Sequence, residues 1–124
     1  MIAGQSNRRR YIIDLEVEKL REKDWSDGKL FDLVVNSELE YAGLEFDRML
    51  KEKELKREQH LSYILDGLQR SEFVHENDCQ YNLTKSLEEN IDFCRNTFDL
   101  ILTMTEQYLN RYKEYNEFFN KSKI

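Results

Sequence analysis

From Leu87 to Phe119 the non-charged side chains recur at alternating intervals of four and three. The series is Leu87, Ile91, Cys94, Phe98, Ile101, Thr105, Tyr108, Tyr112, Tyr115 and Phe119, and all but Thr105 are apolar or amphipathic. A heptad row of this kind keeps one face of a helix against a partner over many turns, whereas a strand would alternate faces at every second residue. No glycine or proline interrupts residues 78–120. Asn77 followed by Gln80 has the form of an N-cap with its reciprocal partner, so the pattern predicts a helix over 78–120, about 65 Å long.

A second helix is expected to begin at Trp25-Ser26-Asp27-Gly28. With Ser26 as N-cap, Trp25 and Leu30 occupy the two positions that a hydrophobic staple joins. Val35, Leu39, Ala42, Phe46 and Met49 follow at 4-3-4-3, and Leu61, Ile64 and Leu68 form a further row. Between them Lys51 to His60 holds one leucine in ten residues and no breaker, so the expected helix spans 27–70, with a break between 51 and 60 as the alternative. The connection at 72–77 then turns this helix back antiparallel against the last one. Upstream, Ile13, Leu15 and Val17 alternate with Asp14, Glu16 and Glu18 as in a strand. Ile13, Val17 and Leu20 also share a helical face, and the run of good helix formers favours a helix over about 9–23.

Composition supports the helical reading. The 124 residues include no proline and only four glycines, too few turn-formers for a sandwich or barrel, and 35% of them are charged. A compact chain of this length would be roughly 36 Å across, less than the expected last helix. The expected fold is therefore all-α, one domain over 1–124, built as an elongated antiparallel helical hairpin or a three-helix bundle with coiled-coil-like packing. A flexible basic arm over 1–8 would precede it.

The same composition narrows function. No run of about 18 apolar residues is present, so no transmembrane helix is expected. The first ten residues set three arginines before a mixed segment, unlike a secretory leader, and a cytoplasmic location is expected. A net charge of −6 offers no broad attraction to phosphate or anionic lipid. Arg8, Arg9 and Arg10, followed by Tyr11, form the one basic cluster and are the candidate nucleic-acid contact. Gly-x-Ser-x-Gly and glycine-rich phosphate loops are missing, and Asn82-Leu83-Thr84 and Asn120-Lys121-Ser122 are glycosylation acceptors only on a secretory route.

Few side chains are suited to bind metal. His75 and Cys79 could share a helical face, but Cys94 lies about 22 Å further along an intact helix and could complete neither a zinc site nor a disulfide. Glu72-Phe73-Val74-His75 has the Glu-x-x-His form of di-iron bundles, which need that element twice, and Arg57 stands where His60 would require a glutamate. No metal site and no cofactor are expected. Arg70-Ser71-Glu72-Phe73-Val74-His75 has Arg-x4-His spacing that resembles the motif of helical HEPN ribonucleases over six residues. That resemblance implies RNA cleavage by Arg70 and His75 in a cleft between two copies, although Ser71 is the only match to the polar residue usual after the arginine.

The reading with more residues behind it is a non-catalytic helical protein-interaction module, a regulator, inhibitor or assembly subunit. It would act through the heptad face of the last helix, at Phe98, Ile101, Tyr108, Tyr112, Tyr115 and Phe119, because tyrosine and phenylalanine combine apolar area with tolerance of an interface rim. The expected partner is another protein or a second copy in a homodimer. Nucleic acid, reached through Arg70 and His75 or the Arg8 to Arg10 arm, is the alternative.

Overall fold

The computed structural model describes residues 2–55 and 80–122, and every regular element among them is an α-helix. Helix α1 spans Ile2–Glu22, α2 spans Asp27–Glu52 and α3 spans Leu87–Ser122. The alternating segment at 11–18 is thus helical, and the all-α class is as expected.

Short-range chemistry sets most of the helix ends. Ser26 caps α2 in an extended conformation, its hydroxyl accepting the Lys29 N–H at 3.3 Å. Helices α1 and α2 both end in Schellman motifs on non-glycine residues. Asp24 (φ 61°) donates to the Arg21 carbonyl at 3.2 Å while the Trp25 N–H reaches back to Leu20 at 3.2 Å. Glu54 (φ 57°) donates to the Lys51 carbonyl at 3.1 Å while the Leu55 N–H reaches Leu50 at 2.8 Å. The helix expected over 27–70 therefore stops at Glu52, at the break held open as the alternative. The physical reason is that Leu55, the lone apolar residue of the charged run, folds back onto the cluster of Phe46, Met49 and Leu50. Leu61, Ile64 and Leu68 lie outside the described residues.

Two boundaries differ from expectation. Helix α1 begins at Ile2, so the segment taken as a flexible arm is its first two turns. One glycine costs a helix about 1 kcal/mol, a small penalty where Arg9 and Arg10 fasten the next turn to both other helices. Helix α3 begins at Leu87 rather than 78. Ser86 is its cap: its oxygen accepts the Glu89 N–H at 3.1 Å and its hydroxyl donates to the Glu89 carboxylate at 3.2 Å. Asn90, 5% exposed, pins the preceding loop by accepting the Asn82 N–H at 2.8 Å and donating to the Ser86 and Asn82 carbonyls at 2.8 and 3.1 Å. Gln80 is outside the helix, and Asn77 lies outside the described residues.

Side-chain partners give the directions. Tyr81, just before α3, donates to Asp27 at the start of α2 and packs its ring 5.7 Å from Phe31. Farther along, Arg95 meets Glu38, and Lys53 at the end of α2 meets Glu106. Residue number rises together on both helices, so α2 and α3 are parallel. This corrects the expected antiparallel hairpin, and about 39 Å must be recrossed between Glu52 and Leu87. Helix α1 runs opposite to both, with Arg10 beside Asp99 and Arg21 beside Glu88. Among the described residues the architecture is a three-helix bundle whose central member is α2. Its core divides into an upper cluster around Leu30, Phe31, Val34, Ile91, Cys94 and Phe98 and a lower one around Phe46, Met49, Leu50 and Leu109.

Since left-handed backbone disfavours residues with a Cβ, Asp24→Gly and Glu54→Gly should each raise unfolding free energy by about 0.5–1 kcal/mol. Asn90→Leu should lower it by roughly 1–3 kcal/mol, because the loop carbonyls and the Asn82 amide lose their partner. Urea denaturation curves of the three variants check both signs.

Candidate functional site

Heptad spacing identified a continuous stripe, and its first part is the interior of the molecule. Phe98 and Ile101 are 3% and 7% exposed, and Phe98 packs within the upper cluster. They are core residues of this chain and not free surface. A straight α-helix drifts about 20° per heptad against a strict seven-residue repeat. By the third heptad the buried position has moved from Tyr108, 38% exposed, to Leu109, fully buried. Tyr112 packs against the lower cluster, and the side chains of Tyr115 and Phe119 lie outside the described residues.

A second row lies beside the buried one. Phe93, Leu100, Met104, Tyr108 and Phe118 fall within an arc of roughly 80° on the helical wheel. Four of these are exposed by 38% to 73%, and Met104 is intermediate. Phe93, Leu100, Met104, Tyr108 and Phe118 stand immediately before Cys94, Ile101, Thr105, Leu109 and Phe119. The heptad stripe overshadowed this row in the sequence, although its spacing of seven and four was there to be read. Arg95 and Asp99, which meet α1, project on the opposite flank of α3.

That opposite flank holds the main polar constellation. Glu38 is only 1% exposed, and three guanidiniums converge on its carboxylate: Arg9 at 2.9 Å, Arg10 at 3.1 Å and Arg95 at 3.3 Å. Arg9 also donates to the Ser37 hydroxyl at 2.9 Å and lies 4.1 Å over the Tyr41 ring. Arg10 extends to Asp99 at 2.7 Å, and Arg95 to Asp14 at 2.9 Å. Burial works against the Arg10 charge, but hydrogen bonds to Asp99 and Glu38 outweigh it and hold its pKa above the ordinary arginine value.

This arrangement redirects the candidate nucleic-acid contact. Arg9 and Arg10 face the bundle and are neutralised there, and Arg8 alone of the three is exposed. His60, Arg70, His75 and Cys79 lie outside the described residues, so the ribonuclease-like pair and the two-ligand metal candidate have no geometry here. Among the described residues no His, Cys, Asp or Glu grouping could hold a metal ion, and no helix is long and apolar enough to cross a membrane.

At the far end of the same flank, Glu88 accepts from Arg21 at 2.8 Å. Its pKa is lowered first by a backbone N–H in the opening turn of α3, then by Arg21. A depressed carboxylate contributes stability above its unfolded pKa and loses it as pH falls through the folded one. Carbon-detected NMR titration should find Glu88 below the usual carboxylate range. Arg21→Gln should return only part of the shift, because the backbone contribution remains. Glu38→Ala, which takes from three part-buried guanidiniums the carboxylate they share and leaves Arg10 with Asp99 and Arg95 with Asp14, should destabilise by about 3 kcal/mol in thermal or urea unfolding.

No family model matches the chain, and no curated protein or solved structure matches it.

Proposed function

We propose that the protein is a non-catalytic helical interaction module of the cytoplasm that self-associates through the outer apolar face of α3. The observation that carries this reading is the alignment of Phe93, Leu100, Tyr108 and Phe118, each substantially exposed, on one face of a single helix. Isolated exposed apolar residues are ordinary, whereas a row of them along a rigid helix is the form that helix-in-groove and helix-pairing contacts use. Relative to the expectation from sequence, the interaction surface moves by one residue, from the stripe of Phe98 and Ile101 to the row just before it, and it keeps Tyr108.

A second copy is favoured as partner because the row is long and narrow. It presents a seam of large side chains at helical repeat, which a matching seam covers well, rather than a concave pocket for a small ligand. The nucleic-acid reading gains no support from the described surface, where Arg9 and Arg10 are already paired.

Light scattering coupled to size exclusion tests the proposal. The parent should elute with a mass above 15.1 kDa, in the range of a dimer. Leu100→Asp and Tyr108→Asp should bring it to the monomer mass with helical circular dichroism unchanged. Ile101→Asp should instead lose helicity, because that side chain belongs to the core. A parent that is monomeric at about 100 µM, two decades above a micromolar dissociation constant, overturns the self-association.

A further inference from the structure

We infer that the furrow between α1 and α3, on the flank opposite the apolar row, is a docking groove for a basic amphipathic helix of a partner protein. Helices α1 and α3 both pack on α2, yet no Cα of α1 lies within 8 Å of a Cα of α3. Directly packed helices have axes 8–10 Å apart and bring backbone atoms closer than this. What joins α1 to α3 is the reach of arginine side chains: Arg10 to Asp99, Arg95 to Asp14 and Arg21 to Glu88.

Two cavities open along the furrow, one on each side of the Arg10 and Arg95 clasp. The first, about 400 Å³, lies between Asn7 and Arg10 of α1, Tyr41 to Met49 of α2, and Asp99 to Glu106 of α3. The second, about 290 Å³, lies between Asp14 to Arg21 of α1 and Leu87 to Arg95 of α3. Each has an apolar floor, Met49 and Leu102 in one and Val17, Leu87 and Ile91 in the other. Their centres are separated by about 17 Å along α3, or three helical turns, so one helix laid over the clasp could place an apolar side chain in each.

Charge complementarity identifies the occupant. The two cavities are lined by seven carboxylates and four guanidiniums. Two of the four cations lie low, the Arg10 and Arg95 side chains being 17% and 13% exposed against 51% for both Asp99 and Asp14, while Arg48 is 26% exposed and Arg21, at 50%, stands on the rim beside Glu88. Glu18 and Asp92 add exposed carboxylates on facing rims. An incoming helix therefore meets rims with an excess of carboxylates above an apolar floor, and lysines or arginines flanking two apolar anchors match both features. Residues 56–79 of this chain, with three Lys or Arg against five Asp or Glu, lack that complementarity.

The probe is a fluorescein-labelled leucine–lysine amphipathic peptide of about 18 residues, the length of α3 from Glu88 to Glu106, with a glutamate-for-lysine counterpart. Fluorescence anisotropy should show binding of the lysine peptide alone, weakening as ionic strength rises. Glu18→Lys/Asp92→Lys should reduce affinity roughly tenfold or more, while Asp32→Lys/Glu40→Lys, an equal charge change on the outside of α2, should leave it within about twofold. Hydrogen exchange should place the protected amides in 10–21 and 88–106. The inference is overturned if the lysine peptide does not bind, if both charge-reversal pairs weaken it equally, or if protection maps elsewhere. It is also overturned if the furrow amides of the free protein are already protected and the peptide is excluded, which would make a segment of the same chain the occupant. Leu100→Asp should leave peptide affinity unchanged, so failure of the groove and failure of the self-association proposed above are separately visible.

Discussion

The bundle is organised around one carboxylate. Glu38 sits in the middle of α2, the central helix, at a level where water does not reach. An unpaired charge there would be prohibitive, and a single ion pair would barely balance its own desolvation. Three arginines meet the requirement together, two from α1 and one from α3. The consequence is geometric as well as energetic. Guanidiniums on long stems can reach the carboxylate only if their helices stand in a particular rotation and register, so this one residue aligns α1 and α3 upon α2. Helix α1 has need of such a device: among its described side chains Val17 alone is in the buried core, with Ile13 and Leu20 partly covered. Apolar burial at about 25 cal/mol per Å² gives so short a contact limited holding power.

Parallel packing of α2 and α3 follows a different logic. Apolar clusters stand above and below the Glu38 level, and each pairs residues at corresponding heights on the two helices. The polar layer between them discourages sliding, since any axial shift would bring Glu38 or Glu45 against apolar side chains. Arg48 guards the lower of the two, bonded to Glu45 at 3.0 Å and to Glu52 at 2.6 Å. The result is a core with two dry compartments and a wired seam, in which the apolar clusters supply cohesion and the charges supply alignment.

How much of this could be read in the chain depends on the range of the interaction. Ser26 as a cap, the helical class and the buried run Leu87, Ile91, Cys94, Phe98 and Ile101 are local or periodic signals, and the structure has them all. The heptad row leaves the core toward its end because 3.6 residues per turn departs from 3.5 by a little at each repeat, and Leu109 takes the buried place of Tyr108 once the departure has grown to more than half a residue. Ser86-Leu87-Glu88-Glu89 carried the S-x-x-E signature of the true helix start but competed with Asn77 and Gln80, and only Asn90 folding back on the loop decides between them. Arg8, Arg9 and Arg10 look identical in sequence. The partners of Arg9 and Arg10 are 28 to 89 positions away, a separation at which no local pattern distinguishes an arginine that binds outward from one that binds inward. The parallel course of α2 and α3 was hidden for the same reason.

The flanks of α3 differ in kind, and the difference traces back to Glu38. Holding Arg95 and, through Arg10, Asp99 toward α1 commits one flank of α3 to charge and keeps α1 at arm's length. The opposite flank has no such obligation, and there Phe93, Leu100 and Tyr108 are left exposed. A partner on the acidic furrow and a second copy on the apolar row would therefore not compete for surface. They would still share a helix whose rotation the Glu38 clasp controls. A basic helix that draws Asp99 or Asp14 away from its arginine leaves that guanidinium more dependent on Glu38, which tightens the grip on the buried carboxylate instead of releasing it. The clasp would thus tolerate occupation of the furrow, because its deepest anchor lies below the surface at which the proposed partner would bind.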